Sequence, residues 1–231
     1  MINIGIIGSG NIGTALARLL TRAGYPVAVA NSRGPASLAP LAQETGCRAT
    51  TVADIVQTSD IAIVAVPLIN IVQLAGAFDA APAHQIVIDT SNYYPQHRDG
   101  LIADIEAGVP ESVWVERHLG RPVVKAFNSI YAEKLAVVGQ PAGSTKRVAL
   151  AVAGDNASDK AIVMQLLDAI GFDGVDGGTI AQSWRQQPGT PGYLQDFSAA
   201  GVTKALAEAS STRAPEWKAT ERSPGTFVAP A

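Results

Sequence analysis

Apolar residues along this chain fall into two rhythms. Short continuous runs at residues 3–7, 27–30, 61–65, 85–88, 123–125 and 147–152, with a brief one at 174–175, have the length and β-branched content of buried strands. Between them, apolar positions recur every three or four residues, which predicts helices over 11–23, 37–45, 52–57, 69–75, 101–106, 112–119 and 158–170. Strand-length runs alternating with helical segments predict βαβ units, and hence an α/β fold with a doubly wound, mostly parallel sheet.

The texture changes after residue 173. Gly177-Gly178 and then Gln187-Pro188-Gly189-Thr190-Pro191-Gly192 predict a loop-rich junction. Residues 197–209 are rich in Ala with a moderate apolar stripe, which predicts one last helix. Residues 210–231 are polar and punctuated by proline, as in an extended tail that is mobile or laid across a partner. The chain thus divides into an α/β domain over residues 1–175 and a small helical addition with its tail over 176–231.

Composition narrows the picture. With 231 residues, 47% of them hydrophobic, the chain can bury one sizeable core. The net charge of -3 and the scattering of Lys and Arg leave no electrostatic footprint for nucleic acid. No basic region precedes the apolar run at the N-terminus and no apolar stretch approaches about 18 residues, so the expectation is a cytoplasmic protein without a membrane span. A single cysteine, Cys47, rules out an internal disulfide and is expected to be a small, semi-buried residue. His84, His97 and His118 lack the spacing and company of metal ligands, so no metal is expected.

The first candidate chemistry is Gly8-Ser9-Gly10-Asn11-Ile12-Gly13. Six residues of the form G-x-G-x-x-G are a weak signal alone, but here they follow an apolar strand and open a helix carrying Ile12, Leu16, Leu19 and Leu20 at helical spacing. In that setting Gly8 permits a tight turn, Gly10 leaves room for a diphosphate and Gly13 lets helix pack on strand. The helix N-terminus supplies unpaired N–H groups and a partial positive charge for the anion.

Where the next strand ends, an acidic residue would hold the ribose 2'-hydroxyl of NAD. This chain has Asn31-Ser32-Arg33 instead. An amide, a hydroxyl and a guanidinium donate to a 2'-phosphate, so the sequence favours NADP(H).

Ligands of open α/β sheets lie beyond the carboxyl ends of strands. Three such ends stand out: Ala65-Val66-Pro67-Leu68, Asp89-Thr90-Ser91-Asn92 and Lys125-Ala126-Phe127-Asn128. Val66 and Pro67 offer a rigid apolar edge for a nicotinamide, while Thr90, Ser91, Asn92 and Asn128 offer neutral hydrogen-bonding groups. Each has a plain structural reading as well, Pro67 as a strand stop and the asparagines as caps or Asx turns. Lys125 lies within a predicted strand and reads as structural.

These segments, with Ile6-Ile7 ahead of the glycine motif and Ala153-Gly154-Asp155-Asn156 further on, resemble the NADPH-dependent F-420 reductase family over about the first 175 residues. The resemblance implies a Rossmann domain with a small C-terminal addition. It implies hydride transfer between NADP(H) and a deazaflavin such as coenzyme F-420, or a flavin, which needs proximity and orientation more than acid–base groups. It also implies that Ser9, Gly10, Asn11 and Ile12 hold the diphosphate, that Ser32 and Arg33 hold the 2'-phosphate, and that Val66, Pro67, Ala126 and Asn128 frame the nicotinamide. After Gly177 the likeness stops, and Trp184, Arg185 and Tyr193 are left as a substrate wall or as anchors of their loop.

Three other functions fit the same cofactor domain. One is reduction of a small carbonyl or imine, as in β-hydroxyacid dehydrogenases and imine reductases, which use a long helical second domain that fewer than about sixty remaining residues do not provide. Another is a ferric or flavin reductase, and the last is a non-catalytic NADP(H) sensor. The apolar stripe in residues 197–209 and the polar tail suggest a homodimer.

Overall fold

The computed structural model describes residues 2–223. Its strands are β1 (Ile4–Ile7), β2 (Val27–Ala30), β3 (Arg48–Ala49), β4 (Ile61–Val64), β5 (Ile86–Asp89), β6 (Val124–Lys125), β7 (Ala149–Ala153) and β8 (Asp173–Gly178). They form one sheet in the order β3-β2-β1-β4-β5-β6-β7-β8. The first six run parallel in Rossmann order; β7 is antiparallel to β6, and β8 follows β7 in parallel.

Both faces of the sheet are covered, which is why its strands are continuous apolar runs and not alternations. One core takes Ile4 and Ile6 from β1 together with Leu16 and Leu20 from α1 (Asn11–Arg22), Leu135 from α6 (Ala132–Val137) and Leu166 from α7 (Ala157–Ala169). The other takes Ile7, Val64 and Val87 together with Ile55 of α3 (Val52–Thr58), Ile105 of α4 (Ala103–Glu106) and Trp114 of α5 (Glu111–Leu119). Two more helices, α2 (Ala39–Thr45) and α8 (Ala199–Glu208), complete the layers, and α8 covers Ala149 and Ala151 of β7 through Val202 and Leu206.

Several elements differ from the sequence expectation for identifiable reasons. β3 is only two residues long, too short to show any period, yet it pairs Ala28 with Arg48. Residues 69–75, expected as α-helix, form a 3-10 helix at Leu68–Leu74 entered from Pro67 in extended conformation. The brief strand expected at 174–175 extends over the whole of β8, and the loop-rich stretch after it holds a 3-10 helix, Ile180–Gln186, whose N-terminus is closed by a reciprocal capping box between Thr179 and Gln182. Residues 210–223 do not run free. Arg213 reaches Glu111, the Lys218 carbonyl accepts from Gln96, and the Ala219 N–H donates to Glu106 at 2.7 Å. The remainder of the expected tail, residues 224–231, lies outside the described residues.

Among the described residues no helix is long and apolar enough to cross a membrane, and no group of three or more His, Cys, Asp or Glu side chains is arranged to hold a metal ion. Cys47 is buried as a free thiol.

Candidate functional site

A cleft runs along the carboxyl ends of the parallel strands, across the β1/β4 boundary where the strand order reverses. It has two compartments that share Gly10, Ala65, Val66 and Pro67. The first, about 650 Å³, is bordered by Ser9, Asn31, Ser32 and Arg33. The second, about 400 Å³, is walled by Tyr94, Phe127, Ile130, Tyr131, Tyr193 and Leu194.

The three motif glycines are needed for different reasons. Gly8 has φ +116°, and a Cβ there would stand 2.2 Å from the Ala65 carbonyl oxygen; a Cβ on Gly13 would stand 2.0 Å from that of Gly8. These two allow the strand, turn and helix to pack. Gly10 has ordinary φ of -74° and a Cβ there would meet no protein atom within 4 Å. What its missing side chain leaves open is the cleft. Gly10 also caps α1 without any side-chain hydrogen bond, and the first turn of α1 has no acidic residue, so the helix presents its N–H groups at the mouth of the cleft.

Asn31 organises the end of β2. Its amide donates to Ser9 Oγ at 2.9 Å and to Ser37 Oγ at 3.0 Å, and its Oδ1 accepts from the Arg33 N–H at 3.0 Å. The Asn31 side chain therefore holds the loops, while Ser32 and Arg33 are exposed beside the first compartment. Arg33 has no ion-pair partner among the described residues.

At the other end the expected rim residues are present but mostly committed to the protein. Thr90 Oγ1 donates to the Val64 carbonyl at 3.1 Å, and Ser91 Oγ to Asp89 Oδ1 at 2.6 Å. Asn128 donates to Asn92 Oδ1 and to the Gln186 carbonyl, at 3.0 and 2.7 Å, and accepts from Gln186 Nε2 at 3.0 Å. These side chains fix the rim and do not stand free over it. Ala126, expected at the rim, is wholly buried in the core, because its N–H still pairs with the Asp89 carbonyl at 3.1 Å as a continuation of β6. Beneath the rim Lys125 and Asp89 form a sealed ion pair, and Glu111, 4.0 Å from Lys125, also meets Arg213 at 3.2 Å. Burial pushes the Glu111 carboxyl up to about 7, against the opposing pull of Lys125 and Arg213.

Sequence reasoning missed Tyr94, Arg98 and Gln186. Tyr94 and Tyr193 line the second compartment and their hydroxyls are hydrogen-bonded to each other. Burial holds both phenols above their ordinary range. The Trp217 ring lies 6.2 Å from that of Tyr94 and 6.0 Å from that of Tyr193, backing the pair from outside. Trp184 and Arg185 stack on each other, with Trp184 lining a separate small cavity, so of the three residues left open only Tyr193 reaches the cleft. Tyr94 follows Asn92 by two residues at a strand end already singled out, and that adjacency was the available signal.

Residues 3–93 match the family model described as NADP oxidoreductase, coenzyme F420-dependent. A hypothetical protein, SMa0349, from Sinorhizobium meliloti is 34% identical, with a TM-score of 0.73 over 85% of this chain and 95% of that one. A candidate F420-dependent NADP reductase from Arthrobacter sp. FB24 shares the fold at 21% identity, with a TM-score of 0.61 over 79% of this chain and 87% of that one. The Escherichia coli K12 protein YjhV is 48% identical over 66 residues, which is 29% of this chain and about half, 48%, of its own length. The family match thus covers the nucleotide-binding region, residues 3–93, and the likeness there is to NADP-dependent oxidoreductases of the coenzyme F420-dependent type.

Proposed function

We propose that this protein transfers hydride between NADP(H), lying along the cleft, and a planar deazaflavin or flavin ring seated in the tyrosine-walled compartment. The observation that carries the nucleotide part is Gly10: neither backbone conformation nor packing demands a glycine there, but a diphosphate pressed onto the uncapped start of α1 does. In this reading Ser9, Gly10, Asn11 and Ile12 hold the diphosphate, and Ser32 and Arg33 hold the 2'-phosphate. Val66 and Pro67 carry the nicotinamide at the junction of the compartments. When bound, NADPH supplies the hydride. The protein's part is to align two rings, and the aromatic and aliphatic walls from Tyr94, Phe127, Ile130 and Tyr131 suit a flat acceptor. The reading includes a homodimer and a cytoplasmic setting.

Titration with NADPH and NADH, followed by NADPH oxidation with F-420, FMN, FAD, ferric chelates and small carbonyls or imines, tests it. Fastest turnover with F-420 or a flavin is expected. Tight NADPH binding with no oxidation by any acceptor would replace this reading with that of a nucleotide sensor. One observation favours a second reading, reduction of a small carbonyl or imine: the Tyr94–Tyr193 hydroxyl pair, since such substrates take up a proton with the hydride.

A further inference from the structure

Nucleotide binding makes no use of the Tyr94 and Tyr193 hydroxyls, although both residues wall the acceptor compartment. In a bonded pair of hydroxyls only one donates to the other, so one proton is left for a third partner. The surroundings select it. Arg98, gripped by the buried Asp99 through hydrogen bonds of 2.9 and 2.8 Å, sits 5.1 Å from the centre of the Tyr94 ring. The Asn92 side chain also stands at the Tyr94 hydroxyl. Glu111 is an electrostatic neighbour of both phenols, and Tyr193 has Tyr131 beside it as well. Negative charge on oxygen is better tolerated at Tyr94, so Tyr193 donates and Tyr94 keeps the free proton.

We propose that Tyr94 is the proton donor to the acceptor and that Tyr193 is a positioning residue that polarises it. This rests on the hydride-transfer reading above. When hydride adds at one end of a polarised double bond or conjugated ring, the displaced electron pair moves to an oxygen or nitrogen at the other end. The Tyr94 O–H bond breaks, its proton goes to that atom, and the phenolate left behind recovers a proton from water through the open mouth beside half-exposed Tyr131. The acceptor class is thus one whose heteroatom gains charge as hydride arrives: a carbonyl, an imine, or a ring with a conjugated nitrogen.

The test uses full-length Y94F and Y193F. NADPH affinity, read by nicotinamide fluorescence, is expected to stay at the wild-type value in both. With the best acceptor of the panel, kcat is expected to fall about 100-fold in Y94F, with loss of the solvent deuterium isotope effect, and about tenfold in Y193F. Independently of turnover, ultraviolet titration of the phenols, wild type against Y94F, reports the ionisation of Tyr94, and Y193F is expected to move it to higher pH. Wild-type kcat in Y94F with NADPH binding intact would overturn the donor role. A Tyr94 ionisation that moves down or stays put in Y193F would overturn the donor order, and, should Y94F not fold, wild-type kcat in Y193F would overturn the role of the pair. Failure of the wild type to bind NADPH would overturn the underlying reading instead.

Discussion

Lys125 Nζ lies 3.1 Å from Asp89 Oδ2, and neither side chain reaches solvent. The two residues face each other in register across β5 and β6. Lys125 also donates to the Ser91 carbonyl, and Asp89 accepts from Ser91 and Ser112, so this pair ties the turn that carries Asn92 and Tyr94 to the sheet. Removing one partner leaves the other charge buried. K125M is expected to lower unfolding stability by about 3–5 kcal/mol in urea denaturation. Replacing both with apolar residues should recover much of that loss, and a K125M protein as stable as wild type would show that the ion pair does not hold the rim.

Arg33 offers the clearest test of cofactor choice. It is exposed at the end of β2 beside the first compartment, has no ion-pair partner among the described residues, and in the proposed reading meets the 2'-phosphate. One charge-assisted hydrogen bond is worth about 1.5–3 kcal/mol, so Arg33→Ala should weaken NADPH about tenfold to a hundredfold and leave NADH nearly unchanged. Equal losses for both nucleotides would show that Arg33 does not read the phosphate.

Gly8 and Gly10 should separate folding from binding. Gly10→Ala adds a methyl where no protein atom lies within 4 Å, so stability should change by no more than about 1 kcal/mol while NADPH affinity drops at least about tenfold. Gly8→Ala forces a side chain onto φ +116° and into the Ala65 carbonyl, and should destabilise by more than about 1 kcal/mol. Calorimetry and fluorescence titration on the two proteins measure both effects.

The proposed nucleotide end is legible in the sequence because its chemistry is local. Gly8, Gly10, Gly13 and Arg33 lie within 26 consecutive positions and owe their roles to backbone geometry and charge. The proposed acceptor end is not, because it is assembled across long separations. Tyr94 meets Tyr193 from 99 residues away, and Gln186 reaches Asn128 from 58. No periodicity announces such contacts. The rim residues Thr90, Ser91 and Asn128 were found by position, but their side chains turn inward to the Val64 carbonyl, Asp89 and Gln186, which only the fold reveals. α6 and the 3-10 helix at Ile180–Gln186 escaped notice because each is under eight residues and mixes polar with small residues.

Glu111 makes stability depend on pH in a direction opposite to that of an ordinary paired carboxylate. Its side chain is wholly buried, Oε2 has no hydrogen-bond partner, and burial lifts its pKa from 4.5 to about 7 despite Lys125 and Arg213 nearby. Between those two values the unfolded chain has lost the proton and the folded chain still holds it. The native state then binds more protons than the unfolded one, so stability falls as pH rises through this window and levels off above about 7. Glu116 and Asp159, also raised by burial, act in the same direction. Glu111→Gln removes only the Glu111 share, so urea midpoints measured from pH 4.5 to 8 should decline less steeply in the variant than in wild type. The two proteins should diverge most above pH 7, where wild-type Glu111 is ionised and Arg213 holds the returning C-terminal segment against it. Parallel slopes in the two proteins would place the titrating group elsewhere.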